Sequence, residues 1–180
     1  MRRLFVSNVM TLDGFFESSD KKLDWFIRDD EFFAYAAEML SSVDTILFGR
    51  LTYELMAQYW PAAPKDEIAD QMNGLPKIVF SNTLARADWN NSRLVRGDAA
   101  EEVARLKQQA GKDMVILGSA TLASSLLQRG LIDEYRVILN PVLLGNGNPM
   151  FKGITQRLTL KLGSTRLLRS GVVILYYQKV

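Results

Sequence analysis

Residues 113–130 read Asp-Met-Val-Ile-Leu-Gly-Ser-Ala-Thr-Leu-Ala-Ser-Ser-Leu-Leu-Gln-Arg-Gly, and they allow few architectures. Met114–Leu117 is a short, unbroken apolar run, the mark of a strand covered on both faces. Gly118 and Ser119 follow at once, and then Leu122, Leu126 and Leu127 fall on one side of a helix. A helix launched from a strand end points the N–H groups of its first turn outward and gathers the positive end of its dipole there. That end suits a phosphate or pyrophosphate. Ser119 is placed to cap the helix, and Gly130 stands where a left-handed C-terminal residue is wanted. On this stretch alone, a tight strand-to-helix turn with no ligand accounts for Gly-Ser equally well.

The chemistry open to the chain is narrowed by what it lacks. It has no cysteine and no histidine. Disulfides, thiolate catalysis and His-based triads are excluded, and no metal site is expected. The net charge is +2 with no basic block, so neither nucleic acid nor an anionic membrane is an expected partner. The basic N-terminus carries too short an apolar run for a signal peptide, and no window reaches the length of a membrane span. A cytoplasmic protein is expected. The 180 residues suffice for one domain over 1–180, with no linker, repeat or low-complexity segment.

From the N-terminus, Leu4–Val9 reads as a central strand running into the turn Asp13-Gly14. Phe32, Ala36, Met39 and Val43 recur at helical spacing, with Asp29 or Asp30 as N-cap. The neighbours Trp25, Phe26, Ile27 and Phe33 give the acid a second reading. A carboxyl held among them would have a raised pKa and could donate a proton. Thr45–Gly49 is a second buried strand. Arg50 follows at a helix start, where the dipole disfavours a cation unless a phosphate compensates, and Thr52 is the expected cap. Lys77–Ser81 is a third buried strand, ending at Ser81-Asn82, and Arg93–Arg96 a short one. Asp98–Glu101 resembles a capping box. Leu131–Leu144 is mainly strand, interrupted at Pro141, which suggests an edge or a bulge, with Asp133-Glu134 as its solvated start. Leu158, Leu160 and Leu162 alternate as in a half-buried antiparallel strand. Arg169–Gly171 turns the chain into the last strand.

The sum is an α/β protein with a mixed, mostly parallel sheet and a C-terminal antiparallel hairpin. In such sheets ligands sit beyond the carboxyl ends of the strands. Gly49-Arg50, Ser81-Asn82 and Gly118-Ser119 all fall there.

Taken in order, Val6-Ser-Asn-Val-Met-Thr-Leu-Asp-Gly14, Gly49-Arg-Leu-Thr-Tyr53, Lys77-Ile-Val-Phe-Ser81, Val115-Ile-Leu-Gly-Ser119, Gly130-Leu-Ile-Asp-Glu-Tyr135 and Pro141-Val-Leu-Leu-Gly-Asn-Gly147 span nearly the whole chain. Together they resemble the dihydrofolate reductase fold, a three-layer α/β/α domain. They resemble most the reductase domain of the bifunctional riboflavin-biosynthesis deaminase/reductase and its stand-alone bacterial relatives. The resemblance implies an NADPH-dependent reductase, with 5-amino-6-(5-phosphoribosylamino)uracil reductase activity as the family's chemistry. It implies that Gly49, Arg50 and Thr52 contact cofactor phosphates, and that Ser81, with Asn82, holds the adenosine 2′-phosphate. The turn from Gly118 through Ser119, Ala120 and Thr121 to Leu122 would hold the pyrophosphate. No acidic residue stands where it would repel the 2′-phosphate, which favours NADPH over NADH. Trp25 and Asp30 have the five-residue spacing of the pterin-binding acid. Two departures are visible. Ile27-Arg28 replaces a Leu-Pro, and Ser119 replaces the second glycine of the pyrophosphate turn. No arginine corresponds to the one that grips the folate glutamate.

The expected function is hydride transfer from NADPH to a small heterocycle that is pterin-, folate- or ribosylaminopyrimidine-like. Asp30 and Asp13 are the candidate catalytic residues, and Asn8, Trp25 and Phe33 the candidate substrate contacts. The alternative is a nucleotide- or pterin-binding module without turnover. The C-terminal hairpin offers an edge strand, and a homodimer is expected.

Overall fold

The computed structural model describes residues 1–180. Its frame is one eight-stranded sheet in the order β5-β4-β3-β6-β1-β7-β10-β9. The strands are β1 (Leu4–Thr11), β3 (Val43–Gly49), β4 (Lys77–Phe80), β5 (Ser92–Val95), β6 (Asp113–Leu117), β7 (Glu134–Asn140), β9 (Leu160–Leu167) and β10 (Val173–Lys179). The strands from β5 to β7 run parallel; β10 and β9 are antiparallel. A separate two-stranded ribbon joins β2 (Phe15–Glu17) to β8 (Asn148–Pro149). The mixed, mostly parallel sheet with a closing hairpin is the architecture expected from the sequence.

Five helices cover the two faces: α1 (Asp30–Ser41), α2 (Arg50–Tyr59), α3 (Glu67–Gly74), α4 (Ala99–Lys107) and α5 (Ala120–Gln128). One core joins Tyr35, Met39 and Leu40 of α1, Tyr53 of α2 and Met72 of α3 to Phe5, Ile46, Phe48, Val79 and Val115. The other joins Val103 and Leu106 of α4 and Leu122 and Leu126 of α5 to Leu4, Val6, Leu47, Ile78 and Ile116. Consecutive strand residues thus feed opposite cores. This is why β1, β3, β4 and β6 are continuous apolar runs rather than alternating ones.

Four local expectations are corrected. Val43 does not extend the helical stripe, because α1 ends at Ser41 and Val43 opens β3. The cap of α2 is Gly49, not Thr52. Pro141 does not mark an edge, since β7 lies between β1 and β10 and ends at Asn140, before the proline that cannot donate to its ladder. Glu134 is not solvated; it is buried between Arg136 at 2.6 Å and Arg3 at 2.7 Å. Burial acts to raise its pKa, but the two guanidiniums hold it below the usual value.

Lys77 is the deepest cation, 1% exposed. Its Nζ donates to the carbonyls of Met72, Asn73 and Leu75, closing the end of α3, and lies 4.3 Å from the centre of the Trp89 ring. Burial pulls its pKa down to about 8.

Candidate functional site

Strands β4, β3 and β6 are neighbours and parallel, so Ser81-Asn82, Gly49-Arg50 and Gly118-Ser119 lie side by side along one end of the sheet. The sequence places these residues at strand ends; the strand order makes them one line.

The centre of that line is a staple between two helix starts. Ser119 has φ 54° and ψ 52°, a left-handed conformation, directly after Gly118 at φ 63°. The serine that stands in place of the second glycine thus adopts a backbone conformation that glycine favours. Holding a serine there costs about 1–2 kcal/mol, and two hydrogen bonds offset it. The Ser119 hydroxyl accepts from the Gly49 N–H at 2.8 Å, and the Ser119 N–H donates to Thr52 Oγ1 at 3.0 Å. Ser119 occupies the N-cap position of α5 without capping it with its side chain, which corrects the expected cap. Neither α2 nor α5 has a side-chain cap, so the N–H groups of both first turns, Ala120, Thr121 and Leu122 among them, stay free of one. Gly118 cannot be replaced cheaply. A Cβ there would lie 2.8 Å from Thr52 Cγ2 and 3.8 Å from Phe16 Cζ.

On one flank, Arg50 is half-exposed and paired with Glu54 at 3.1 Å, one turn along α2. Such an exposed pair is worth a few tenths of a kcal/mol, so an incoming phosphate can displace the glutamate. Ser81 Oγ accepts from the N–H groups of Thr83 and Leu84 and shapes the loop after β4. Asn82 Oδ1 accepts from the Gly97 N–H at 2.8 Å. Arg96 joins the same loop, donating to the carbonyls of Asn82 at 3.0 Å and Leu84 at 2.8 Å. The sequence reading placed Arg96 in a short strand and did not connect it with this loop. Its signal was its place at the end of a strand parallel to Lys77–Phe80, and that pairing is not visible in a four-residue strand.

On the other flank the sheet opens. Strands β1 and β6 pair only as far as Ser7 and Leu117, whereas β1 and β7 stay paired to Thr11 and Asn140. Residues 8–11 thus face a gap on the β6 side. Asn8 stands at its start, 3% exposed. Its Nδ2 donates to the Met150 sulfur at 3.3 Å, and its Oδ1 is buried with no partner. An unmet acceptor of this kind costs about 1–3 kcal/mol. The Trp25 Nε1 is likewise buried without a partner. Trp25 belongs to the segment entering α1, which is tied to the end of β7 by the Ile27 N–H donating to Asn140 Oδ1 at 3.0 Å. Phe33 lies on α1, packed edge-on against Phe32 and 44% exposed.

The two candidate acids differ from expectation. Asp29 is the N-cap of α1, accepting from the Phe32 N–H at 2.8 Å. Asp30 opens the helix in solvent, so the apolar enclosure expected for its carboxyl is absent. Asp13 is exposed and committed to backbone: it accepts from the Thr11 hydroxyl at 2.6 Å, the Gly145 N–H at 2.7 Å and the Leu144 N–H at 3.0 Å. The Thr11 hydroxyl first, and then the two N–H groups, hold it below the usual carboxylate range. Asp13 is thus an anionic latch between residues 11–17 and 142–150. The Leu12 N–H donates to the Val142 carbonyl, the Met150 N–H to the Gly14 carbonyl, and the ribbon of β2 and β8 completes a flap.

No group of three or more His, Cys, Asp or Glu is placed to hold a metal ion. No helix is long and apolar enough to cross a membrane. A cavity of about 290 Å³ lined by Gly130, Tyr135, Leu158 and Lys179 lies at the opposite end of the sheet, away from these residues.

Residues 2–174 match the family model of the RibD C-terminal domain. The chain belongs to that family. It is 37% identical over 183 residues to the uncharacterised protein YyaP of Bacillus subtilis, covering 98% of this chain and 94% of that one. YwjB of the same organism, also uncharacterised, is 29% identical over 97% of each chain. Among solved structures, a putative riboflavin biosynthesis protein from Shewanella sp. PV-4 superposes with a TM-score of 0.79 at 22% identity, over 99% of both chains. The Thermotoga maritima diaminohydroxyphosphoribosylaminopyrimidine deaminase/5-amino-6-(5-phosphoribosylamino)uracil reductase superposes with a TM-score of 0.71 at 14% identity. That match covers 99% of this chain and 57% of the Thermotoga one. The fold is the dihydrofolate reductase-like α/β fold of the RibD reductase domain.

Proposed function

We propose that this RibD-family protein is an NADPH-dependent reductase of a small heterocycle of the pterin or ribosylaminopyrimidine kind. The observation that carries the proposal is the line of strand ends. Ser81-Asn82, Gly49-Arg50 and Gly118-Ser119 occupy adjacent strands in that order, and the gap beside β1 comes next. A dinucleotide is a linear molecule with a phosphate at one end, a pyrophosphate in the middle and a reactive ring at the other. It fits this line in one direction. The adenosine 2′-phosphate meets Ser81, Asn82 and Arg50, and the pyrophosphate meets the free N–H groups around Ser119. The ring reaches the gap. The close-packed glycine at 118 and the unmet Asn8 acceptor are the features of this chain that fit such an occupant.

NADPH would supply a hydride. The protein's part is to hold the acceptor against it, which is where positioning gives most of its rate advantage. Trp25 and the start of α1 border the substrate end, with Asp30 the carboxyl free to meet a polar substituent there. Asp13 serves by holding the flap over that end.

The same pocket without turnover, a nucleotide- or pterin-binding module, is the second reading. It is favoured by one observation: neither candidate acid is enclosed in the gap.

Titrating the protein with NADPH and NADH while following tryptophan fluorescence tests the proposal. NADPH should bind more tightly, and Arg50→Ala should weaken NADPH about tenfold while changing NADH little, the loss expected for one charge-assisted contact. If neither nucleotide binds, the reductase reading fails.

A further inference from the structure

Asn8 is a polar side chain almost wholly buried at the point where β1 and β6 part. Ser7 and Leu117 form the last pair, so Asn8 stands one position on, across from Gly118. Met150 lies against it from the flap, and Phe16 lies against Gly118. The amide is half used. Its N–H₂ end rests on a thioether, a weak acceptor, and its Oδ1 has nothing. The polar side chains beside it are already bonded, apart from the Trp25 Nε1 donor on the segment entering α1. Ser7 meets Tyr35, Thr11 meets Asp13 and Phe15, and Asn140 meets Ile27. Asn8 Oδ1 is the unsatisfied acceptor on β1, left for a ligand donor to meet.

Resting on the NADPH reading, we infer that Asn8 is a specificity-determining residue. Its Oδ1 accepts a hydrogen bond from the carboxamide N–H of the nicotinamide ring in the gap between β1 and β6. The site then selects a ring that carries an amide. A ring bearing a methyl ketone in place of the amide keeps the shape and the carbonyl but leaves Asn8 unmet, and a buried polar group left unmet is the strongest source of discrimination available to a site. No other side chain on β1 can make this distinction.

The test compares calorimetric affinities of NADP⁺ and its 3-acetylpyridine analogue for the full chain. Wild type should prefer NADP⁺ by about tenfold or more, the effect of one lost buried hydrogen bond. Asn8→Ala should weaken NADP⁺ by a similar factor and leave the analogue within about twofold, so that the preference disappears. A wild type that binds both equally, or an Asn8→Ala protein that keeps its preference, overturns the inference while leaving the cofactor reading intact. Failure of wild type to bind NADP⁺ or NADPH overturns both. If Asn8→Ala does not fold, wild type with ¹³C-labelled asparagine decides. The Asn8 side-chain carbonyl resonance should move on adding NADP⁺ and stay on adding the analogue, and an unmoved resonance with NADP⁺ bound counts against the assignment.

Discussion

Gly118 and Asp30 show how single positions set what this site can do. At Gly118 two constraints coincide: a positive φ of 63° and a space closed by Thr52 Cγ2. Gly118→Ala meets both, and should cost about 1–3 kcal/mol in urea unfolding and weaken NADPH binding, because Thr52 must move and it holds the Ser119 N–H. A fully stable Gly118→Ala protein with unchanged NADPH affinity would show that the staple does not matter. Asp30 has no such constraint. It lies in solvent in the first turn of α1, where a carboxylate is favoured by the helix dipole. Asp30→Asn should therefore leave the melting temperature within a degree or two while lowering turnover at saturating NADPH. Equal losses of turnover and of NADPH affinity would remove Asp30 from the substrate end.

The flap is the element whose behaviour depends most on one charge. Asp13 gathers the Leu144 and Gly145 N–H groups into a single carboxylate. Asp13→Asn keeps one acceptor oxygen but loses the charge, so exchange of those two amide protons should quicken by about tenfold or more, measured by NMR at neutral pH. The pH dependence has a definite sign. The Thr11 hydroxyl and the two N–H groups hold the folded-state pKa of Asp13 below the ordinary aspartate value of 3.8. The latch therefore contributes fully above pH 3.8 and is lost as the pH falls through the lowered value. Protection at Leu144 and Gly145 should persist at pH 3.8 and fall only in stronger acid. Protection that fails near pH 5 would assign the latch to another group.

Elements were unequally legible in the sequence, and the flap marks the limit. Strands β1, β3, β4 and β6 announce themselves because burial on both faces demands unbroken apolar runs. The ribbon of β2 and β8 is three residues against two, defined wholly by a partner far along the chain, and nothing local encodes it. Glu134 looked solvated for the same reason, since one of its partners, Arg3, comes from the other end of the sequence. The turns at Gly49, Ser81 and Gly118 were legible as strand ends, because small residues after an apolar run are a local signal. Their internal bonding was not. Ser119 looks like a cap and Thr52 like another, yet each spends its polar atoms on the other's helix.

At the scale of the whole molecule, the sheet has two unequal edges. The strand β5 is four residues long, whereas β9 is eight and exposes Leu162 and Leu167. Two copies meeting along β9 is the arrangement we expect for a homodimer, with Lys161 and Arg166 on the same strand limiting open-ended pairing. Light scattering should return twice the 20.3 kDa of one chain, and Leu162→Lys should return one. A wild-type protein that runs as a monomer at micromolar concentration would mean the two cations already guard the edge.

The position of β1 has a further consequence, for synthesis rather than for chemistry. The strand β1 precedes every other strand of the sheet yet is the fifth in it, and its two neighbours are β6 and β7, from much later in the chain. Leu4 waits for Met114, and Phe5 for Glu134. Such long-range pairings are slow to form. Until the nascent chain has passed Leu117, β1 has no partner strand, and until it has passed Asn140 one edge of β1 stays open. The centre of the sheet closes late, and a stalled or truncated chain would present the open edge of β1 to chaperones and to other unfinished chains.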